Sequence, residues 1–395
     1  MNRGPIRALF AASLLFFAAL YTYVPTLPAY IAARTSSLTA VGVVLSMYGL
    51  LIAVLRVPLG VVTDATGRLK AYLVAGVLFA GLGAIVMMLG RSVGLLAAGR
   101  ALTGVSGAAW VPMMIAFAGL FPPEKAIFAT SLASFASSLG QVIGTGSTGF
   151  LEAWGGHDLP FIAAAGLALA ATGIVLFVRI PRKDAAHRAM VSTRSILSIF
   201  SRRDVLIPSF TNALCQFSVW AITFGFMPLL AKQVGASSVA VSLLMTLNIA
   251  SNAAANLVAT ALARRGGKRI LVYGSFAALA GGALLAAVSG SVTLLFAATI
   301  VMGLANGLFF PILLGLSIER VDTYHRSTAM GIHQAVYAIG MFTGPWIGGI
   351  LADAVGIRGM IAMVAGFSLA APSILISRNP AAFAERQEPR RTEGR

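Results

Sequence analysis

The sequence predicts an all-α polytopic membrane protein with twelve transmembrane helices in two pseudo-symmetric six-helix bundles. Composition is the first reason. Of 395 residues, 58% are hydrophobic and 10% charged, whereas soluble domains carry about 45–50% apolar and about 25% charged residues. The second is the length of the apolar runs, since a helix needs about 20 residues to cross the hydrocarbon core. The third is internal repetition, because the chain matches itself when displaced by about 200 residues.

In order, the runs are 6–31, 40–62, 71–90, 93–119, 126–151, 159–180, 204–231, 237–263, 269–289, 291–318, 327–353 and 356–377. The first is long enough to span and lacks a short core followed by a small-residue cleavage site, so it reads as a retained helix rather than a signal peptide. The sixth and seventh runs are separated by 181–203, PRKDAAHRAMVSTRSILSIFSRR, a polar and basic stretch with no second core and an amphipathic segment around Ser195–Ser201. This divides the chain into a first bundle (1–180), a linker (181–203), a second bundle (204–378) and a tail (379–395). Across the repeat, Pro28 falls on Pro228, Gly67-Arg68 on Gly267-Lys268, and Gly140 and Gly144 on Gly340 and Gly344. Gly104 falls on Gly303 and Pro112 on Pro311 with one residue less. Glycine and proline set close helix contacts and kinks, so their repetition predicts repeated packing. Six helices per half give both halves the same orientation in the membrane.

The net charge of +17 suggests nucleic acid until its placement is considered. Apart from Arg34, Arg91, Lys232, Arg358 and the intrahelical Arg56 and Arg100, the 29 Lys and Arg lie at the termini or in alternate loops. By the positive-inside rule both termini and the linker face the cytoplasm, and the basic loops meet anionic lipid, not nucleic acid. A single cysteine, Cys215, excludes a disulfide within one chain, and with four histidines it makes no metal constellation. A phosphate-binding Gly-rich loop ending in Lys-Ser/Thr is absent, which leaves ATP hydrolysis without support. Nothing forms a clustered catalytic set, and no cofactor is expected.

One stretch is more specific. Gly60-xxx-Asp64-xx-Gly67-Arg68-x-Lys70 sits where the second apolar run meets a basic turn. It resembles the loop signature between the second and third helices of the major facilitator superfamily, and the two-bundle repeat resembles that superfamily over about residues 6–377. The resemblance implies the major facilitator fold and a cytoplasmic gate motif at Gly60, Asp64, Gly67, Arg68 and Lys70 that latches the halves in the outward-open state. The second half keeps Gly267 and Lys268 but has Arg264 where the acid belongs, so the latch is asymmetric. Arg100-xxx-Gly104-xxx-Ala108 resembles a second family motif, whose arginine is tied to proton movement in proton-coupled relatives. Arg100 could instead make a structural ion pair with Glu152. Gly340-xxx-Gly344-Pro345-xx-Gly348-Gly349 has the form of the family's antiporter motif, but on the eleventh run; the fifth carries Gly140 and Gly144 without the proline. A helix-packing groove is the plainer reading of these glycines.

The remaining candidates are polar or aromatic residues in apolar helices. An intramembrane Arg costs about 2.5–3.5 kcal/mol on insertion scales, so Arg56 and Arg100 should be paired or face a wet cavity. Arg56 either extends the Asp64 network or meets an anionic substrate. Asn248, Asn252 and Asn256 share one helix face, as do Asn212, Gln216 and Trp220. With Gln141, His333, Gln334 and Tyr337, and with Tyr21, Tyr23 and Trp110 as aromatic walls, they are candidates to line a substrate cavity. Each could equally be a hydrogen-bonding packing residue. His333, the only intramembrane histidine, is either a proton relay or such a packing residue.

The expected function is secondary active transport by rocker-switch alternating access in a bacterial inner membrane. The leading expectation is efflux of a small amphipathic organic compound by a monomer, driven by the proton gradient. An anionic metabolite carrier using Arg56 and Arg100 is the alternative, because no acid lies mid-membrane. A non-transporting membrane sensor is the distant one.

Overall fold

The computed structural model of the protein describes residues 3–122, 125–178, 180, 198–322 and 325–383. Of the segment expected to be amphipathic around Ser195–Ser201, residues 195–197 lie outside the described residues and 198–200 are helical.

Twelve spans follow one another in up-and-down order. α1 is Arg3–Tyr21, continued after a turn by Leu27–Ala32; α2 is Leu38–Thr66 and α3 is Leu69–Leu89. α4 is Val93–Ala108 continued by Trp110–Ala118, α5 is Ala126–Gly155 and α6 is Leu159–Phe177. α7 is Arg203–Val219, a π-helical stretch Trp220–Phe226, and Met227–Gln233. α8 is Ser238–Gly266, α9 is Lys268–Val288 and α10 is Val292–Glu319. α11 and α12 are the two arms of Arg326–Arg378, parted at Gly356, whose φ of 77° lies in the left-handed region that favours glycine. Helices are the only open-ended elements that satisfy every backbone group without water. The spans accordingly turn apolar side chains such as Phe177, Leu257 and Ile270 outward.

Three expected boundaries shift, each with a local cause. α1 and α7 are not continuous: each breaks just before the repeat-related prolines Pro28 and Pro228, which open the short second pieces. A proline supplies no N–H to the preceding turn, so the helix must break or widen there, and in α7 it widens into the π-helix. α5 runs four residues longer than its apolar stretch, ending at Gly156 with φ 74°.

The repeat holds at the level of atoms. Ser37 and Ser237 cap α2 and α8 by accepting the N–H of Ala40 and Ala240, and Ser92 and Ser291 cap α4 and α10 in the same way. Gly104 packs on the backbone of Tyr48, and its mate Gly303 on that of Asn248. Gly140 and Gly144 pack against α1, as Gly340 and Gly344 pack against α7. These four glycines therefore bind helices within each half.

Two helix pairs make most of the contact between the halves. α2 meets α11 at Gly42–Pro345, Gly49–Met341 and Gly349–Leu38, and α5 meets α8 at Gly149–Ser238 and Thr145–Thr246. These contacts cluster in the half of the membrane away from the chain termini. Towards the terminal end, a side chain at Gly60 would meet only Val111 of its own half, and Val61 and Val62 are exposed. The halves are thus closed together at the far end and part towards the end that carries the termini.

Candidate functional site

Where the cross-half contacts stop, near the middle of α2, a group of aromatic and cationic side chains closes the interface. Arg100 of α4 is 3% exposed and lies over the Tyr48 ring of α2, 4.5 Å from guanidinium carbon to ring centroid. Two turns further along α2, Arg56 is 6% exposed and donates from Nη1 to the Tyr337 hydroxyl of α11 at 2.8 Å. The Nε of both arginines has no partner. Neither arginine is in an ion pair among the described residues. A cation–π contact returns about 0.5–2 kcal/mol and a charged hydrogen bond about 1.5–3 kcal/mol. Among the described residues both arginines are therefore held in place without a countercharge.

The second half answers with aromatic rings. Tyr48 stacks on Trp220 at 5.4 Å, Trp220 on Phe224 at 4.5 Å, and Phe224 meets the edge of Tyr21 at 6.4 Å. Trp220 and Phe224 belong to the π-helical part of α7, so the widened turn aims both rings at the first half. Tyr337 carries Phe310 and His333 on its flanks, at 5.4 and 5.9 Å. The rings form a plug between halves, with the arginines beside it.

Of the sequence-predicted site residues, the fold brings together Tyr21, Arg56, Arg100, Trp220 and Tyr337. Tyr23 borders the same group, with Arg100 beside it and Phe161 stacked on its ring at 5.0 Å. Others are directed elsewhere: Trp110 meets Phe17 edge-on at 5.2 Å inside the first bundle. Gln141 donates to Ser137 of its own helix at 3.3 Å. His333 is fully buried, with Nδ1 3.0 Å from Ser209 Oγ and Nε2 2.9 Å from Asn212 Nδ2, so α7 grips both ring nitrogens. Gln216 donates to Asn306 at 3.3 Å. Asn248 donates to the Thr299 carbonyl of α10 at 3.0 Å, the backbone of Asn252 packs against Gly307, and Asn256 is exposed nearer the terminal end. Asn212, Gln216 and Asn248 thus bind neighbouring helices of their own half, while Trp220 turns to the first half. Gln334 is half-buried near Tyr337 on α11.

The pairing expected of Arg100 with Glu152 is not formed. Glu152 Oε1 accepts from Ser238 Oγ of α8 at 2.9 Å and lies 3.0 Å from His157 Nδ1, at the far end of α5. Glu152 thus sits at the mouth, whereas the plug lies near the middle of α2. In the gate motif, Gly67 takes φ 62° and ends α2, Arg68 is exposed and Lys70 donates to the Leu176 carbonyl of α6. The side chain of Asp64 lies outside the described residues.

Sequence reasoning passed over Tyr48, Phe224, Asn306 and Asp353. Tyr48 carried one available signal, since it falls on Asn248 in the repeat. An apolar groove of about 660 Å³ lies between the start of α1 and the end of α6, lined by Gly4, Pro5, Ala8, Gly173 and Phe177 among others, and none of the plug residues borders it.

Comparison with known proteins gives a consistent result. The sequence pattern described as Major Facilitator Superfamily matches residues 9–235 and again 209–394. An uncharacterized MFS-type transporter of Methanocaldococcus jannaschii is 22% identical over 344 residues, covering 83% of this chain and 86% of that protein. The crystal structure of the nucleoside transporter NupG superposes with a TM-score of 0.76 at 15% identity, covering 98% of this chain and all of that one. A bacterial homolog of the human lysosomal transporter Spinster, in an inward-facing and unoccupied conformation, gives 0.79 at 16% identity over 96% and 97% of the two chains. At these identities the solved structures share the fold alone.

Proposed function

Because this chain belongs to the Major Facilitator Superfamily, and so is a multi-pass membrane transporter and not an enzyme, we propose that it carries small organic anions between its halves by alternating access. One observation carries the substrate class. Arg56 and Arg100 are buried beside one aromatic plug, with no carboxylate paired to either among the described residues. A buried cation is stable only when paired or hydrated, and an anionic substrate supplies the missing charge while its apolar part meets the rings of Tyr48, Trp220 and Phe224. The placement of Lys and Arg puts the terminal end in the cytoplasm, so the described conformation is open inward. An ion gradient, protons in this reading, drives transport by a monomer in a bacterial inner membrane, with no bound cofactor.

A second reading keeps the aromatic plug and drops the charge: efflux of a neutral or cationic amphipathic compound in exchange for protons. The ring stack favours it, and the absence of a mid-membrane acid in the sequence disfavours the cationic form. A neutral flat solute, such as the nucleosides carried by the similar transporter, would leave both guanidiniums uncompensated.

A thermal-shift screen of the purified protein against carboxylates, nucleosides, sugars and lipophilic cations at two pH values separates these readings, because a ligand that binds only the folded state raises the melting temperature. The anion reading expects stabilisation by carboxylates that is lost in Arg56→Gln and Arg100→Gln. Stabilisation by lipophilic cations or neutral compounds, unchanged in those variants, would overturn it in favour of drug efflux.

A further inference from the structure

At the far mouth, two carboxylates reach across from one half to the other, and the substrate site makes no use of them. Asp353, at the end of α11, accepts the backbone N–H of Leu38 at 2.8 Å through Oδ1. Its Oδ2 accepts the N–H of Thr39 at 2.8 Å and the Ser37 hydroxyl at 3.1 Å. These three donors are the start of α2, where the first turn leaves N–H groups without intrahelical partners and the helix dipole presents its positive end. On the opposite side of the mouth, Glu152 at the end of α5 accepts from the hydroxyl of Ser238, the first residue of α8, at 2.9 Å. Lys232 of α7 donates to the same hydroxyl at 2.8 Å, and the second oxygen of Glu152 is buried without a partner.

The two arrangements are related by the repeat, with the carboxylates one residue out of register. Leu38 and Ser238 correspond, and one turn before each carboxylate lies a corresponding glycine. Gly349 sits against the Leu38 carbonyl and the Thr39 Cα, and Gly149 against the Ser238 carbonyl and the Val239 Cα. In each, a glycine lets a helix end of one half touch the helix start of the other, and the carboxylate then satisfies donors that close approach would strand.

We propose that Asp353 and Glu152 are positioning residues of the transport cycle, a symmetric pair of cross-half latches that hold the far mouth closed and release when it opens. They touch no substrate; they set how often the site faces the far side. On opening, the α2 donors and the Ser238 hydroxyl return to water, so each latch biases the equilibrium without locking it. The two latches differ in composition. The Asp353 latch is built on backbone N–H groups, which no substitution at Ser37, Leu38 or Thr39 other than proline removes, whereas the Glu152 latch depends on one serine hydroxyl.

The proposal rests on alternating access but not on any substrate, and its test uses none. Met341 lies beneath the mouth against Gly49, in contact with both halves. In a Cys215→Ser, Met341→Cys chain, labelling by a membrane-impermeant maleimide is measured from each face in oriented vesicles. Asp353→Asn should raise the far-side rate at least about threefold, Ser238→Ala by a smaller factor, and the two together by about their product, with terminal-side labelling reduced or unchanged. Equal increases from both faces would mean general loosening and overturn the proposal, as would unchanged far-side rates in Asp353→Asn and Ser238→Ala. If Asp353→Asn does not fold, Ser238→Ala alone decides, by the same far-side increase or its absence. Loss of the substrate reading leaves this result standing, because the labelling needs only the unliganded chain.

Discussion

Arg100 and Tyr48 show how much one residue's chemistry decides. The planar guanidinium covers the ring at 4.5 Å, a fit that the compact ammonium of lysine lacks. Arg100→Lys should keep the charge and lose the face-to-face contact, raising KM for the preferred anion by roughly five- to tenfold, which corresponds to about 1–1.4 kcal/mol. Initial transport rates in proteoliposomes measure this, and unchanged kinetics would remove Arg100 from the substrate site. Tyr337→Phe leaves Arg56 Nη1 without its cross-half acceptor. An unsatisfied buried charged donor costs about 1–3 kcal/mol, so the variant should melt earlier, and an added anionic substrate should recover part of the loss. His333 was legible as either a proton relay or a packing residue. Only the approach of Ser209 and Asn212 on α7 shows that both of its nitrogens are engaged.

Glycine-mediated packing governs the scale of elements, and the same residue type does two different jobs. Gly340 sits against the Ala213 carbonyl within the second bundle, whereas Gly42 sits against the Pro345 carbonyl across the halves. A methyl group at either position overlaps backbone, and overpacking costs about 1–3 kcal/mol. The consequences should differ. Gly340→Ala should lower the melting temperature, because α7 and α11 belong to one rigid bundle. Gly42→Ala should leave melting nearly unchanged and increase far-side maleimide labelling, because the halves can separate to relieve the overlap. Equal melting losses for both variants would show that the two interfaces are energetically alike. Glycine spacing was visible along the sequence, where the antiporter-like pattern of α11 also read as a packing groove, and Gly340 and Gly344 lie against α7. That its proline carbonyl meets the other half was not visible, because sequence spacing places residues on a helix face without saying which helix that face meets.

For the whole molecule, the proposed cycle has the halves rock about the plug. Thr145 of α5 and Thr246 of α8 share a hydroxyl contact of 3.0 Å across the far mouth, close enough for side chains at these positions to be bridged. Thr145→Cys with Thr246→Cys, oxidised in a Cys215→Ser chain, should stop transport, and reduction should restore it. Full transport by the oxidised chain would refute alternation at this mouth.

Hydrophobic composition, run length and the displacement of Pro28, Gly67, Gly104 and Gly140 onto their repeat mates determined the membrane class, the twelve helices and the doubled architecture. Such properties are local or periodic, and the bilayer forces each apolar run to satisfy its own backbone bonds. Tertiary structure alone decided which polar residues meet: Arg100 with Tyr48 and not Glu152, Asn248 with the α10 backbone and not a cavity, Asp353 with the start of α2. These pairings join residues far apart in the chain, and they depend on helix rotation and on which end of the interface is closed. Neither is written in the period of a single helix, because side chains on any face of an apolar span find lipid or protein with almost equal ease until neighbouring helices dock.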